Sequence, residues 1–414
     1  MPLDFTLTPA QRDLQRKARE FANAELSKVP ALTAGLPDSE ARFLATRPVY
    51  ETVVREGFLK RLIPQPLGGE GTGLIDIAVL TEEFYAVESN VTVTLLANLL
   101  GLMPLQLAGS AEQIARFMPP FLSGTGAPLA ALCNSEPGGS ANYGAPAPAV
   151  GTRTTAHLDG DEWVINGAKR WVSSATGWDR KGADLLCVVC RTDPAAPPAE
   201  GISIIAVPRP QSGLEVEHFI DSVGHRAHLL PQFRLNGTRS AHDNVLGPVG
   251  GGLPTVDASF TGTAALVGVM ATGVLRAAFV FALEFARREA RGGAHRILDH
   301  QAVGYALADA KSALEACRAL SWRSCEAMDR QAPDAIELAL HSKIFCSETA
   351  VRVITDLTRV VGIESYDHKN PLGGLLQDAL VMPIFDGGNL GVRRRQLHDL
   401  FKRADYDALT GVLS

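Results

Sequence analysis

Cysteine is scarce in this chain, and the six present (Cys133, Cys187, Cys190, Cys317, Cys325 and Cys346) show no disulfide-framework spacing. A reducing compartment is therefore the default, and a soluble, cytoplasmic protein is the expectation. Cys187 and Cys190 form a CxxC inside an apolar, strand-like run, where residues at that spacing point to opposite faces, so a metal or redox pair is not expected there. No histidine spacing suggests a metal site either. Positive charge is not in excess: 39 Lys and Arg stand against 45 Asp and Glu, a net charge of −6. That excludes a general attraction to nucleic acid or anionic lipid. Repeats and low-complexity tracts are absent, and the opening residues are amphipathic and mixed in charge, unlike a signal peptide. The long uncharged run from Ser89 to Ala111 is about bilayer length, but it holds Thr92, Thr94, Asn98, Pro104 and Gln106. It reads as a buried helix, with no membrane partner.

What is present is a globular composition, 46% hydrophobic and 20% charged over 414 residues, enough for two or three domains. Residues 1–127 read as an N-terminal α-helical domain. Thr8-Pro9-Ala10-Gln11 is a capping box with proline at the first helical position, and Leu14, Ala18, Phe21, Ala22 and Leu26 follow at helical spacing. Further helices are expected over Arg47–Glu56, Leu74–Val87 and from Ser89. Residues 128–247 change to short strands separated by turn signals: Leu129–Ser135, Thr152–His157, Glu162–Ile165 closed by an Asn166-Gly167 turn, Lys169–Ser173, Leu185–Arg191, Ile202–Val207, Leu214–Phe219 and Gln232–Leu235. A small β-barrel or sandwich is expected. Residues 248–414 return to long helices, Phe260–Arg288, Gln301–Arg330, Asp334–Val361 and Leu372–Ala379, which fit a helical bundle. The fold class is α+β multidomain.

One stretch stands out for chemistry: Met382-Pro-Ile-Phe-Asp386-Gly-Gly-Asn-Leu-Gly-Val-Arg393-Arg-Arg395. Asp386 and Arg393 share a helix face if a helix starts near Asp386. A carboxylate beside a cation, in an apolar and glycine-lined place, stays ionised and can take a proton from carbon. The same letters also suit a plain helix N-cap, because Asp is a favoured cap and Gly-Gly-Asn is ordinary loop chemistry. These residues alone leave both readings open.

The plan of helices, strands and bundle, with several motifs, resembles the acyl-CoA dehydrogenase superfamily along the whole chain. Cys133-Asn-Ser-Glu-Pro-Gly-Gly-Ser140 is similar to its TEPGAGS loop, and Trp163-Val-Ile-Asn-Gly-Ala-Lys-Arg-Trp-Val-Ser-Ser174 to its LNGxKxWIT hairpin. Asn244-Val-Leu-Gly247 resembles the exit from the β domain. Where acyl-CoA dehydrogenases carry a glutamate in YEGT, this chain reads Phe385-Asp386-Gly387-Gly388-Asn389, which resembles the nitroalkane oxidase branch. Gly177-Trp178-Asp179, Lys181–Asp184, Cys187–Arg191, Ala264–Gly268 and Ala41–Pro48 extend that resemblance.

The resemblance implies an FAD-dependent homotetramer that oxidises nitroalkanes with O2 to aldehydes or ketones, nitrite and hydrogen peroxide. It implies Asp386 as the base for the α-proton, Arg393 as the cation that keeps Asp386 charged and oriented, and Thr263 in place of a family serine bonded to the carboxylate. Leu132, Asn134, Ser135, Trp171 and Ser173 would lie along the flavin, with Gly387, Gly388 and Asn389 near it. Arg291, His300, Gln301 and Arg359 would contact FAD, the first three reaching that of another subunit. A nitro group acidifies the neighbouring C–H, so a pre-organised carboxylate suffices as base. An acyl-CoA dehydrogenase with Asp386 as base, or a flavin-dependent N-oxygenase, is the alternative. A scaffold without flavin would be colourless.

Overall fold

The computed structural model describes residues 6–409. Its first helix, Pro9–Ala24, begins at the expected capping box: the Thr8 hydroxyl accepts the Gln11 N–H, and the Gln11 side chain accepts the Thr8 N–H. Leu14, Ala18 and Ala22 form its buried stripe. The next long helix starts earlier than expected, at Ser39–Arg55, because Asp38 caps it through a 2.7 Å bond from the Ala41 N–H. Pro48, a residue suited to a first turn, sits in its interior. Leu74–Tyr85 and Asn90–Ala108 follow. The latter helix and Leu253–Arg288 are each long and apolar enough to cross a membrane, yet 67% of each apolar window is buried inside the fold. Composition of that kind is what a core helix between other elements requires.

Seven strands form one curled sheet in the order β1-β4-β2-β3-β7-β6, with β5 paired to β4. The strands are β1 Ala130–Cys133, β2 Thr155–Asp159, β3 Glu162–Arg170, β4 Leu185–Arg191, β5 Ile202–Pro208, β6 Leu214–Phe219 and β7 Pro231–Ala241. The expected Asn166-Gly167 turn is not a turn. β3 runs straight through it, and the pairing with β7 shifts register between Ile165 and Asn166, where Gly237 of β7 is the extra residue of a bulge. β1 lies parallel to β4, with Leu132 opposite Cys187. β4 is covered on both faces, so Cys187 and Cys190 are both fully buried, and burial pushes the Cys190 thiol up to about 12.

Four helices make the C-terminal bundle: Leu253–Arg288, Gln301–Asp329, Ala335–Val361 and Pro371–Val381. Leu253–Arg288 packs most closely where it is smallest. A methyl group at Gly268 would come within 2.1 Å of the Ser342 hydroxyl, so the neighbouring helix backbone can approach there only because the side chain is missing. Buried carboxylates staple the N-terminal helices to this bundle. Glu83 pairs with Arg19 and Arg276, each at 2.8 Å, and Glu82 pairs with Arg276 and Arg318. Burial opposes the charge on Glu83, but the two arginines hold its carboxyl down to about 2. The staple fixes one end of the bundle against Leu74–Tyr85, while its C-terminal loop carries the chemistry.

Candidate functional site

After Pro371–Val381 the chain does not begin a helix at Asp386. Asp386 has φ +50° and Gly387 φ +73°, both left-handed, and a wide turn at Asn389–Arg393 then leads into the helix Arg394–Phe401. The expected shared helix face of Asp386 and Arg393 is therefore replaced by a loop that folds back on the arginine. Nor does Asp386 cap a helix; no side chain caps the turn that follows. Asp is among the few side chains that tolerate a left-handed backbone. Gly387 has a further constraint, because a Cβ there would lie 2.8 Å from Arg393 Nε.

The Asp386 side chain is only 6% exposed, and two groups meet it. Thr263 Oγ1, from the Leu253–Arg288 helix, donates to Oδ1 at 3.0 Å. Arg393, 1% exposed, reaches Oδ2 only at 3.4 Å, but its Nε and Nη2 donate to the Asp386 carbonyl at 3.0 Å and 2.6 Å. Arg393 Nη2 also donates to the Phe260 carbonyl at 2.9 Å, tying the loop to the helix that carries Thr263. Lys343, which sequence reasoning missed, joins them through Asn389. Its side chain is fully buried, and Nζ donates to Asn389 Oδ1 at 2.8 Å. The signal was there: Ala339, Lys343, Cys346, Ala350, Val353 and Leu357 form one buried heptad stripe, and Lys343 is its only charge. Burial raises the Asp386 carboxyl above the usual range, against Arg393, Lys343 and the Thr263 bond, which favour the anion. Burial brings the Lys343 ammonium down to about 7 although Asp386 attracts it.

The Asn389 side chain turns into the bundle, where it meets Lys343, Ser347 at 3.1 Å and Glu348 at 3.0 Å, so its amide is committed there. Gly387 is likewise spent on Arg393. Gly388 accepts the Arg393 N–H through its carbonyl at 3.2 Å.

A second cluster forms where β1 and β3 end. Leu132 and Asn134 are buried, Ser135 is half-buried, and the Ser135 carbonyl accepts the Arg170 N–H at 2.9 Å, which joins the two strand ends. Trp171 has φ +65° and leaves its ring 48% exposed, with the Arg170 guanidinium 5.0 Å from its centre. The Ser173 hydroxyl lies 2.9 Å from His228 Nε2, and His228 Nδ1 lies 3.0 Å from Thr94 Oγ1. Burial, with His225 close by, takes the His228 imidazole down to about 3, so it is neutral. Beneath the cluster, buried Lys169 pairs with Glu136 at 2.9 Å, which gives Glu136 a structural task.

These residues fit a flavin. Asn134 Oδ1 and Ser174 Oγ are buried without a hydrogen-bond partner among the described residues, beside the half-exposed indole of Trp171 and the Ser173 hydroxyl. A flat ring with alternating donors and acceptors along its edge satisfies such a set. Arg291, His300, Gln301 and Arg359 stand apart from both clusters. Arg291 (φ +53°) bonds the Val361 carbonyl and lies 3.8 Å from Glu364, His300 and Gln301 are exposed at the start of Gln301–Asp329, and exposed Arg359 pairs with Asp356.

Comparison with known proteins agrees with this geometry. The acyl-CoA dehydrogenase N-terminal, middle and C-terminal domain families match residues 8–125, 131–237 and 250–399. The chain is 44% identical to a nitroalkane oxidase of Podospora anserina over 99% of this chain and 98% of that one. It is 39% identical to a nitroalkane oxidase of Fusarium oxysporum, over 98% and 96%. The solved structure of the Podospora anserina nitroalkane oxidase superposes with a TM-score of 0.95 at 41% identity, covering 100% of both chains.

Proposed function

The chain belongs to the acyl-CoA dehydrogenase family, on its nitroalkane oxidase branch, and we propose that it oxidises nitroalkanes with FAD as cofactor and O2 as final acceptor. In balance, a primary nitroalkane, water and O2 give an aldehyde, nitrous acid and hydrogen peroxide; a secondary nitroalkane gives a ketone. The observation that carries the proposal is the buried Asp386 carboxylate, with Thr263 on one oxygen and Arg393 on its main chain.

Each residue has a derivable task. Asp386 takes the α-proton, while the negative charge passes from its carboxylate to the nitro group of the substrate. Desolvation makes the carboxylate a stronger base than it is in water, and Arg393 keeps it from being protonated in the resting state. Thr263 fixes the rotation of the carboxylate, so one oxygen faces the substrate. Leu132, Asn134, Ser135, Trp171 and Ser173 would hold the flavin. When bound, FAD accepts the two electrons that carbon gives up.

A homotetramer is part of the proposal. Ile384 and Leu390, on the Asp386 loop, are 70% and 85% exposed, an apolar surface of the kind a neighbouring subunit covers. Arg291, His300 and Gln301 would reach FAD across such a contact. The test follows O2 uptake and nitrite release together on mixing the purified yellow protein with nitroethane in air. Equimolar nitrite and O2 consumption is expected. No turnover, with flavin bleached anaerobically by an acyl-CoA, would instead make it a dehydrogenase.

A further inference from the structure

Lys343 has no carboxylate within 4 Å among the described residues, although it is fully buried in the middle of a helix. Its ammonium meets one side-chain acceptor, Asn389 Oδ1, and Asn389 is in turn fixed by Ser347 and Glu348. A buried cation with an amide as its partner is costly unless another charge compensates it. The charged groups that face it are Asp386 and Arg393 from the C-terminal loop and Glu348 from its own helix, and Glu348 is already paired with Arg394 at 2.7 Å. The charge left to balance Lys343 is that of Asp386, which it shares with Arg393.

We propose that Lys343 is a positioning residue for the reaction: held by Asn389, its buried ammonium keeps the Asp386 carboxylate ionised and its loop in place. This rests on Asp386 being the base. Asn389 links the two directly, since it closes the Asp386-Gly387-Gly388 segment, its N–H donating to the Pro383 carbonyl at 2.8 Å while its side chain receives the lysine. In the step concerned, a C–H bond breaks, an O–H bond forms on Asp386 and the charge moves to the nitro oxygens, with no change of oxidation state. Lys343 acts before that step, by setting how much Asp386 is available as an anion.

The choice of substrate separates this role of Lys343 from a merely structural one. A preformed nitronate has already lost its α-proton and needs no base. The experiment compares wild-type holoenzyme with K343M, K343Q and K343R, measuring kcat/KM against pH for nitroethane and for its nitronate. In K343M and K343Q the acid limb for nitroethane moves up by about one pH unit, so activity below it falls about tenfold. Both variants rejoin the wild type on the alkaline side, because Asp386 is fully ionised there with or without the ammonium. Nitronate oxidation stays within about twofold, and K343R keeps the wild-type limb. K343M guards against a misfolded K343Q, since a thioether of similar length is cheaper to bury than an ammonium. An unmoved acid limb in the neutral variants, or an equal loss with nitroethane and nitronate, overturns the inference. If the wild type oxidises neither substrate, the proposed function fails first and this inference with it.

Discussion

Arg393 grips the main chain of Asp386 more closely than its carboxylate: 2.6 Å and 3.0 Å to the carbonyl oxygen, against 3.4 Å to Oδ2. The planar guanidinium makes this possible, because two of its N–H groups reach one carbonyl while Nη2 also reaches Phe260. A lysine carries the same charge but no fork. Arg393→Lys is therefore expected to lose about 10- to 100-fold in kcat/KM for nitroethane, with far less effect on the nitronate. Steady-state kinetics with both substrates checks this, and equal loss with both would show that Arg393 acts elsewhere.

Thr263 gives Asp386 one hydrogen bond to a charged group, a contribution of about 1.5–3 kcal/mol. Thr263→Ala is expected to lower kcat/KM for nitroethane by about 10- to 100-fold, and Thr263→Ser to restore most of it. Failure of serine to rescue would mean that the threonine methyl, and not the hydroxyl, matters at this position.

Stability should fall on the acid side for a reason that lies in the flavin cluster. Buried His228 has its pKa depressed to about 3 from an ordinary 6.5, so the unfolded chain takes up a proton that the folded protein refuses. The stabilising contribution is complete above about 6.5 and is lost as pH falls from there toward 3. His228→Gln removes it. Thermal melts across that window should show the variant losing less stability, by up to about 1.4 kcal/mol per pH unit. Parallel curves would show that His228 is protonated in the fold.

Much of the fold was legible because periodicity survives in the letters: the capping box at Thr8 and the strand runs Leu185–Arg191 and Leu214–Phe219 lie where the spacing put them, and so do the bundle helices, except that the first starts at Leu253 and not at the expected Phe260. Asp386 was legible as a carboxylate set among glycines. Its geometry was not, because a left-handed residue followed by a wide turn has no period to detect. Asn166-Gly167 carried the letters of a hairpin turn, but neighbouring β7 pairs with both residues and takes up the irregularity itself, as a bulge at Gly237. Thr94, His228 and Ser173 come from three distant segments, and only the packed fold joins them. Lys343 was hidden as one polar letter in an apolar stripe, where helix reading looks for the stripe and overlooks the exception.

The proposed reaction turns on one proton. The measurement that tests it most directly is Asp386→Asn, purified with its FAD and given nitroethane and then preformed nitronate in air, with nitrite followed in each case. The amide keeps the shape and removes the base, so turnover of nitroethane is expected to fall by about 10²- to 10⁴-fold while nitronate oxidation continues. Nitroethane oxidation that survives the substitution would contradict the assignment of Asp386 as the base.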